Sequence, residues 1–249
     1  MGGLCSCLSP DVEQRQEPSP RTPLLDGTEP TTQEVSNIKS VRKQQTAGIK
    51  HISTSVEALV PVSCGKIALP LLDKTFQDHS KLYNDLLKNF NLLRQTIVDL
   101  KILTVEENNV HASLETCIKN IVSMCGHTEL KVKRSKYCIQ LEYNVKDVPA
   151  EAIKALKLYN ESNKLCRDIF ERSSQIKRSM EIVLDDEQRL RLEVLKSNLD
   201  SKDAPEAMKI CIANVNKLRQ LPGAIELIHA QTEKIFNDIK EASKVFFLE

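Results

Sequence analysis

Hydrophobic positions recur at alternating spacings of three and four residues over most of this chain, the pattern of helices that each carry an apolar stripe. The most regular run covers residues 70–103, where Leu72, Phe76, His79, Tyr83, Leu86, Phe90, Leu93, Ile97 and Leu100 keep a strict heptad spacing. Leu82 and Leu87 widen that stripe beyond a narrow two-stranded seam, which suits packing in a bundle. An earlier stripe at 34–59 uses Val35, Ile38, Ile49, Ile52, Val56 and Leu59, with Arg42 and Gln45 in register and Gly48 weakening its middle. Pro61 and the Ser63-Cys64-Gly65 stretch end it, so residues 61–69 read as a linker.

Further along, Val105, Val110, Leu114, Ile118, Ile121 and Val122 form one face of a helix expected over 104–125. Thr104 is its expected N-cap, Glu107 completes a capping box, and Gly126 is the expected stop. Residues 137–145 break the habit: Tyr137, Ile139, Leu141, Tyr143 and Val145 alternate with polar residues as a strand would. A lone strand has nothing to pair with, and Val132 signals only a poor partner, so helix is the favoured reading there. Asp147 and Pro149 open a long helix reaching at least Leu184, with Leu199 as its furthest extent and the Asp185-Asp186-Glu187 run either solvated or a break; Ile169, Ile176, Val183 and Leu190 repeat every seven residues. Asp203 and Pro205 start another, to Leu221; Pro222-Gly223 is read as a turn into a last helix over 224–246. The expected fold class is all-α: an elongated helical bundle domain over 70–249 with coiled-coil-like heptad helices, an amphipathic heptad helix over 34–60, and a disordered N-terminal tail.

That tail, residues 1–33, holds Pro10, Pro18, Pro20, Pro23 and Pro30 and few large apolar side chains, too few to offset the entropy of ordering it. It starts Met1-Gly2-Gly3-Leu4-Cys5-Ser6-Cys7. Gly2 followed by Ser6 fits the acceptor pattern for N-myristoylation, and Cys5 and Cys7 stand where a tethered chain would offer them for S-palmitoylation. One myristoyl chain gives an association constant of only about 10⁴ M⁻¹, so durable anchoring needs a second signal. Asp11, Glu13, Glu17, Asp26 and Glu29 outnumber Arg15 and Arg21, which argues against a polybasic second signal and for the two cysteines. Ser9, Ser19 and Thr22 each precede proline and are candidate phosphorylation sites.

Charge and chemistry narrow the function. The 35 Lys and Arg against 34 Asp and Glu leave a net charge of +1, no field to steer nucleic acid. No apolar run approaches bilayer-spanning length and no secretory signal is recognisable, so the expected location is the cytosolic face of a membrane, plasma membrane or endolysosomal. Beyond Cys5 and Cys7, the six remaining cysteines lack zinc-site spacing and read as core filler. Phosphate-binding, nucleophile-elbow and zinc-protease motifs do not occur, and the five histidines are scattered; no catalytic residue, cofactor or metal is implied. His79 reads as a satisfied histidine in its stripe. The densest basic cluster, Lys131, Lys133, Arg134 and Lys136, is either a solvated face or a contact for lipid headgroups or an acidic partner.

In outline, the acylatable start, the proline-containing tail with Leu24-Leu25-Asp26 and the heptad-rich body resemble the acylated anchor subunits of lysosomal scaffold complexes. The resemblance implies a non-enzymatic adaptor that recruits helical protein partners by tethering. The alternative is a helical body acting directly on anionic lipid through the basic helix at 34–59 and the cluster at 131–136.

Overall fold

Seven heptad positions of the first long helix, α1 (Pro70–Thr104), are buried: Leu72, Phe76, Tyr83, Leu86, Phe90, Leu93 and Leu100. This is the stripe that the spacing predicts. The structure is a computed structural model and describes residues 56–105 and 112–247, all within one unit, Ser53–Glu249. The tail and residues 34–55 of the expected first heptad helix lie outside the described residues; Val56–Ala58 form a single 3-10 turn.

The described residues are mostly helical. Helix α2 spans Leu114–Cys125, α3 Ala150–Asp185, α4 Glu187–Lys196 and α5 Ala204–Ala242. Helices α1, α3 and α5 pack against one another, α2 lies against all three, and α4 packs mainly on α5. Phe76, Leu86, Leu93, Ile121, Leu156, Ile169, Leu218 and Ile228 are among the side chains of the shared core.

Three boundaries differ from those the sequence predicts, each for a local reason. Thr104 is the last residue of α1, its hydroxyl donating back to the Leu100 carbonyl at 2.7 Å while its own carbonyl accepts from Asn120 Nδ2 at 2.7 Å. The N-cap of α2 is instead Ser113, whose Oγ accepts the Thr116 amide at 3.1 Å. Gly126 does stop α2, at φ +60°. The long helix opens with Pro149 at its N-cap, while Asp147 accepts a hydrogen bond from Asn144 instead of capping it. It breaks at Asp186 (φ −93°, ψ 15°), which lets α4 turn onto α5, with Glu187 bridging Arg191 and Arg219.

The third difference is at Pro222-Gly223, which is no turn: α5 continues through it. An interior proline costs about 3 kcal/mol or more. Leu221 and Ile225 on either side are both buried, at 2% and 1% exposure, so the packing they make outweighs that cost.

The segment 137–145 is corrected from helix to strand. A hairpin forms from β1 (Lys131–Ser135) and β2 (Cys138–Glu142), antiparallel, with Val132 opposite Leu141 and Arg134 opposite Ile139. The partner strand Lys-Val-Lys-Arg-Ser has one aliphatic residue and so lacks the alternation that marks a strand. Its pairing is made good from the other side, where α3 caps the free edge of β2. Asn160 accepts the Leu141 amide and donates to the Leu141 carbonyl, both at 2.8 Å, and Asn163 Oδ1 accepts the Ile139 amide at 3.1 Å. In an antiparallel pair these residues point their backbone groups away from the partner strand, so the two asparagines act as a third strand.

The same device holds residues 59–69, an irregular strap along α1 and α5. Asn84 pairs with both backbone groups of Val62, and Asn214 with both of Gly65, all four bonds at 2.8 Å. Lys217 adds a bond to the Ser63 carbonyl at 2.6 Å, and the Ile67 amide donates to Asp73 at 2.6 Å. Gly65 allows the close approach: a Cβ there would stand 2.9 Å from Ile210 Cγ2. Ile67 is buried, so the stretch read as a linker contributes to the core.

Candidate functional site

Strand alternation divides the basic cluster. Lys131 and Lys133 lie on one face of the hairpin with Gln140 and Glu142, and Lys133 forms an ion pair with Glu142 at 2.5 Å. Arg134 shares the opposite face with Ile139 and Leu141, both buried. There its charge favours the ionised form of the buried Tyr159 phenol, against the stronger effect of burial. Lys136 sits in the two-residue turn, its ammonium 4.9 Å from the centre of the Tyr137 ring, and that ring packs on Phe170 at 4.8 Å. The four cations are therefore not a single patch; two face outward together.

What the alternation adds is a neighbour. The outward face of β2 borders a groove of about 630 Å³ whose other wall is α3, lined by Cys138, Gln140, Lys157, Asn160, Lys164 and Arg167, with Leu158 and Glu161. Lys157 and Lys164 are seven residues apart, two helical turns or about 10.5 Å along one face. Both are exposed. Glu161 stands one turn from each lysine, at a spacing that allows ion pairs. Arg167 meets Asp168 at 3.6 Å, while no ion pair or hydrogen bond of the Lys157 and Lys164 ammonium groups occurs among the described residues. Sequence reading passed over these lysines because the charges are dispersed along α3 rather than consecutive. The i, i+7 spacing within an otherwise core-facing helix is the signal that was there to find.

The groove offers no cysteine chemistry. Burial pushes the Cys138 thiol up, opposed by the Arg167 charge and reinforced by Asp168. Deeper in, burial raises Cys166 to about 12, so both thiols are protonated at neutral pH. All six described cysteines are free, and all but Cys64 are buried, in keeping with their reading as core filler.

Two serine–histidine pairs tie α3 to its neighbours. His79 Nδ1 lies 2.7 Å from the Thr75 carbonyl and so donates to it, leaving Nε2 to accept from Ser179 Oγ at 3.0 Å. His79 is thus satisfied on both nitrogens, as its place in the stripe implies. Ser173 Oγ lies 2.8 Å from His229 Nδ1. Both serines sit inside α3, where neighbouring amides are taken by the helix ladder and leave no donors to stabilise an oxyanion. Their evident role is to join helices.

Gly2, Cys5 and Cys7, and with them Ser9, Ser19 and Thr22, lie outside the described residues. Among the described residues no group of His, Cys, Asp and Glu could hold a metal ion, and no helix is long and apolar enough to cross a membrane. Comparison of the chain with protein families, curated proteins and solved structures finds no match.

Proposed function

We propose that this chain is a membrane-anchored, non-enzymatic helical adaptor, myristoylated at Gly2 and palmitoylated at Cys5 and Cys7, that recruits helical protein partners to a cytosolic membrane face. The observation that carries the proposal is the coincidence of Gly2, Ser6, Cys5 and Cys7 within seven residues. The body is read as a helical bundle with coiled-coil-like heptads, joined to lipid by a proline-containing tether. Tethering raises a partner's effective concentration at one surface without any new contact. Exposed Leu71 and Ile182, 79% and 60% accessible, border one groove between α1, α3 and α4, the kind of apolar surface that an amphipathic partner helix uses.

A second reading, direct action on anionic lipid through the basic helix at 34–59 and the cluster at 131–136, draws support from the outward placement of Lys131 and Lys133. Cell fractionation of Gly2→Ala beside Cys5→Ser/Cys7→Ser tests the first reading. Gly2→Ala is expected to move to the cytosol, and the double cysteine variant to associate only transiently. Membrane association of Gly2→Ala equal to that of the unmodified sequence rejects the anchor.

A further inference from the structure

We propose that the groove between α3 and β2 binds the phosphate of an anionic membrane lipid, with Lys157 and Lys164 as its principal contacts and Arg167 as a third. The inference rests on the membrane-anchored reading and gives the body its own orientation at that surface. Three cations and one carboxylate line the groove, and its two lysine ammonium groups have no ion-pair or hydrogen-bond partner among the described residues. Lys119 pairs with Glu115, Lys133 with Glu142 and the half-buried Lys177 with Glu226, while other exposed lysines such as Lys154 and Lys240 have no ion-pair or hydrogen-bond partner among the described residues. What sets Lys157 and Lys164 apart is that they share one groove with Arg167. Lysine heads on flexible stems suit phosphate as point charges, and Arg167 can present two donors at once.

The geometry favours a surface over a strand. An acidic peptide adding to β2 would need its outer edge, and Asn160 and Asn163 already occupy that edge. Lys157 and Lys164, by contrast, stand exposed on one helical face where a flat array of headgroups can meet both. Lys133 lies on the adjoining hairpin face opposite Gln140, where its charge is matched by Glu142, so the positive character of the groove comes from α3. The hairpin thus supplies the second wall of the groove, Cys138 and Gln140 of β2, beside three cations of α3.

The test uses the full chain made without acyltransferases, so that its outcome does not depend on Gly2 or the tail cysteines. Flotation with phosphatidylcholine vesicles carrying a phosphatidylinositol monophosphate should recover the protein, less so as salt is raised. Lys157→Gln/Lys164→Gln should weaken recovery at least tenfold, each lysine near a charged surface being worth about fivefold. Lys234→Glu/Lys240→Glu, a larger charge change on α5, should leave it within about twofold. Thermal melting of all variants checks that folding is retained, as expected for exposed side chains. Equal loss in both pairs, no recovery of the unsubstituted chain, or binding only to soluble inositol phosphate or to a polyglutamate peptide would each overturn the proposal.

Discussion

The strap at 59–69 and the hairpin at 131–142 are two non-helical parts of the described core, and the same chemistry holds both. In each, asparagine side chains on neighbouring helices bond the backbone of extended residues. Asn84 and Asn214 in the strap and Asn160 in the hairpin take both the amide and the carbonyl of one residue, while Asn163 takes the Ile139 amide alone. A carboxamide presents a donor and an acceptor side by side, as a peptide does, so it can end a sheet or fix a lone strand without a further strand. What differs is what the clasp leaves outward. The strap turns Ile67 inward and is sealed by Gly65 against Ile210. The hairpin keeps Ile139 and Leu141 inward and shows Lys131, Lys133 and Gln140 to solvent. One segment is fastened to complete a core; the other is fastened to display charge.

The largest test of that contrast is Asn214→Ala. Asn214 is 1% exposed, and its loss leaves both backbone groups of Gly65 without partners, a cost of about 3 kcal/mol. Chemical denaturation should show a midpoint shift of that size. Asn160→Ala removes the equivalent pair from Leu141, which is 1% exposed, so a cost of the same order, about 3 kcal/mol, is expected. A much smaller effect at either site would mean that water replaces the clasp there.

Alkaline pH separates the two regions a second way. Beneath the hairpin, burial raises the Tyr159 phenol and the Cys166 thiol to about 12, from ordinary values of 10.0 and 9.0; a hydrogen bond to Ser243 opposes the shift at Tyr159. Both groups are protonated in the folded and unfolded chain below about pH 9, so their full contribution is present there. Above that the unfolded chain loses these protons first, and stability should fall until about pH 12. The combined Tyr159→Phe/Cys166→Ala variant should show a flatter decline in denaturation midpoint over this window. At the strap, burial also raises Cys64, but Lys217 and a hydrogen bond from Ser80 oppose it. Cys64→Ala should therefore flatten the slope less than that combined variant does. The smallest expected effect is Lys133→Ala: its ion pair with Glu142 is exposed, so thermal stability should change by less than about 1 kcal/mol.

The heptad stripe of α1 was legible because its buried residues are large, apolar and regularly spaced. So was Gly126 as a stop and Asp203-Ala204-Pro205 as a start, since both rest on local backbone chemistry. The errors share a different cause. Pro222 is overridden by tertiary packing of Leu221 and Ile225, and the hairpin is held through β2 by asparagines on α3 that stand 19 and 24 residues away from their partners in sequence. The same holds for the groove: Gln140 and Lys157 become neighbours only through a hairpin that the pattern of β1 conceals.

The account as a whole depends on what is attached to Gly2. Mass spectrometry of the N-terminal peptide from protein isolated from cells measures it directly. A myristoyl group in amide linkage to Gly2, with acyl groups on Cys5 and Cys7, is the predicted result; a free or acetylated N-terminus with unmodified cysteines would contradict it.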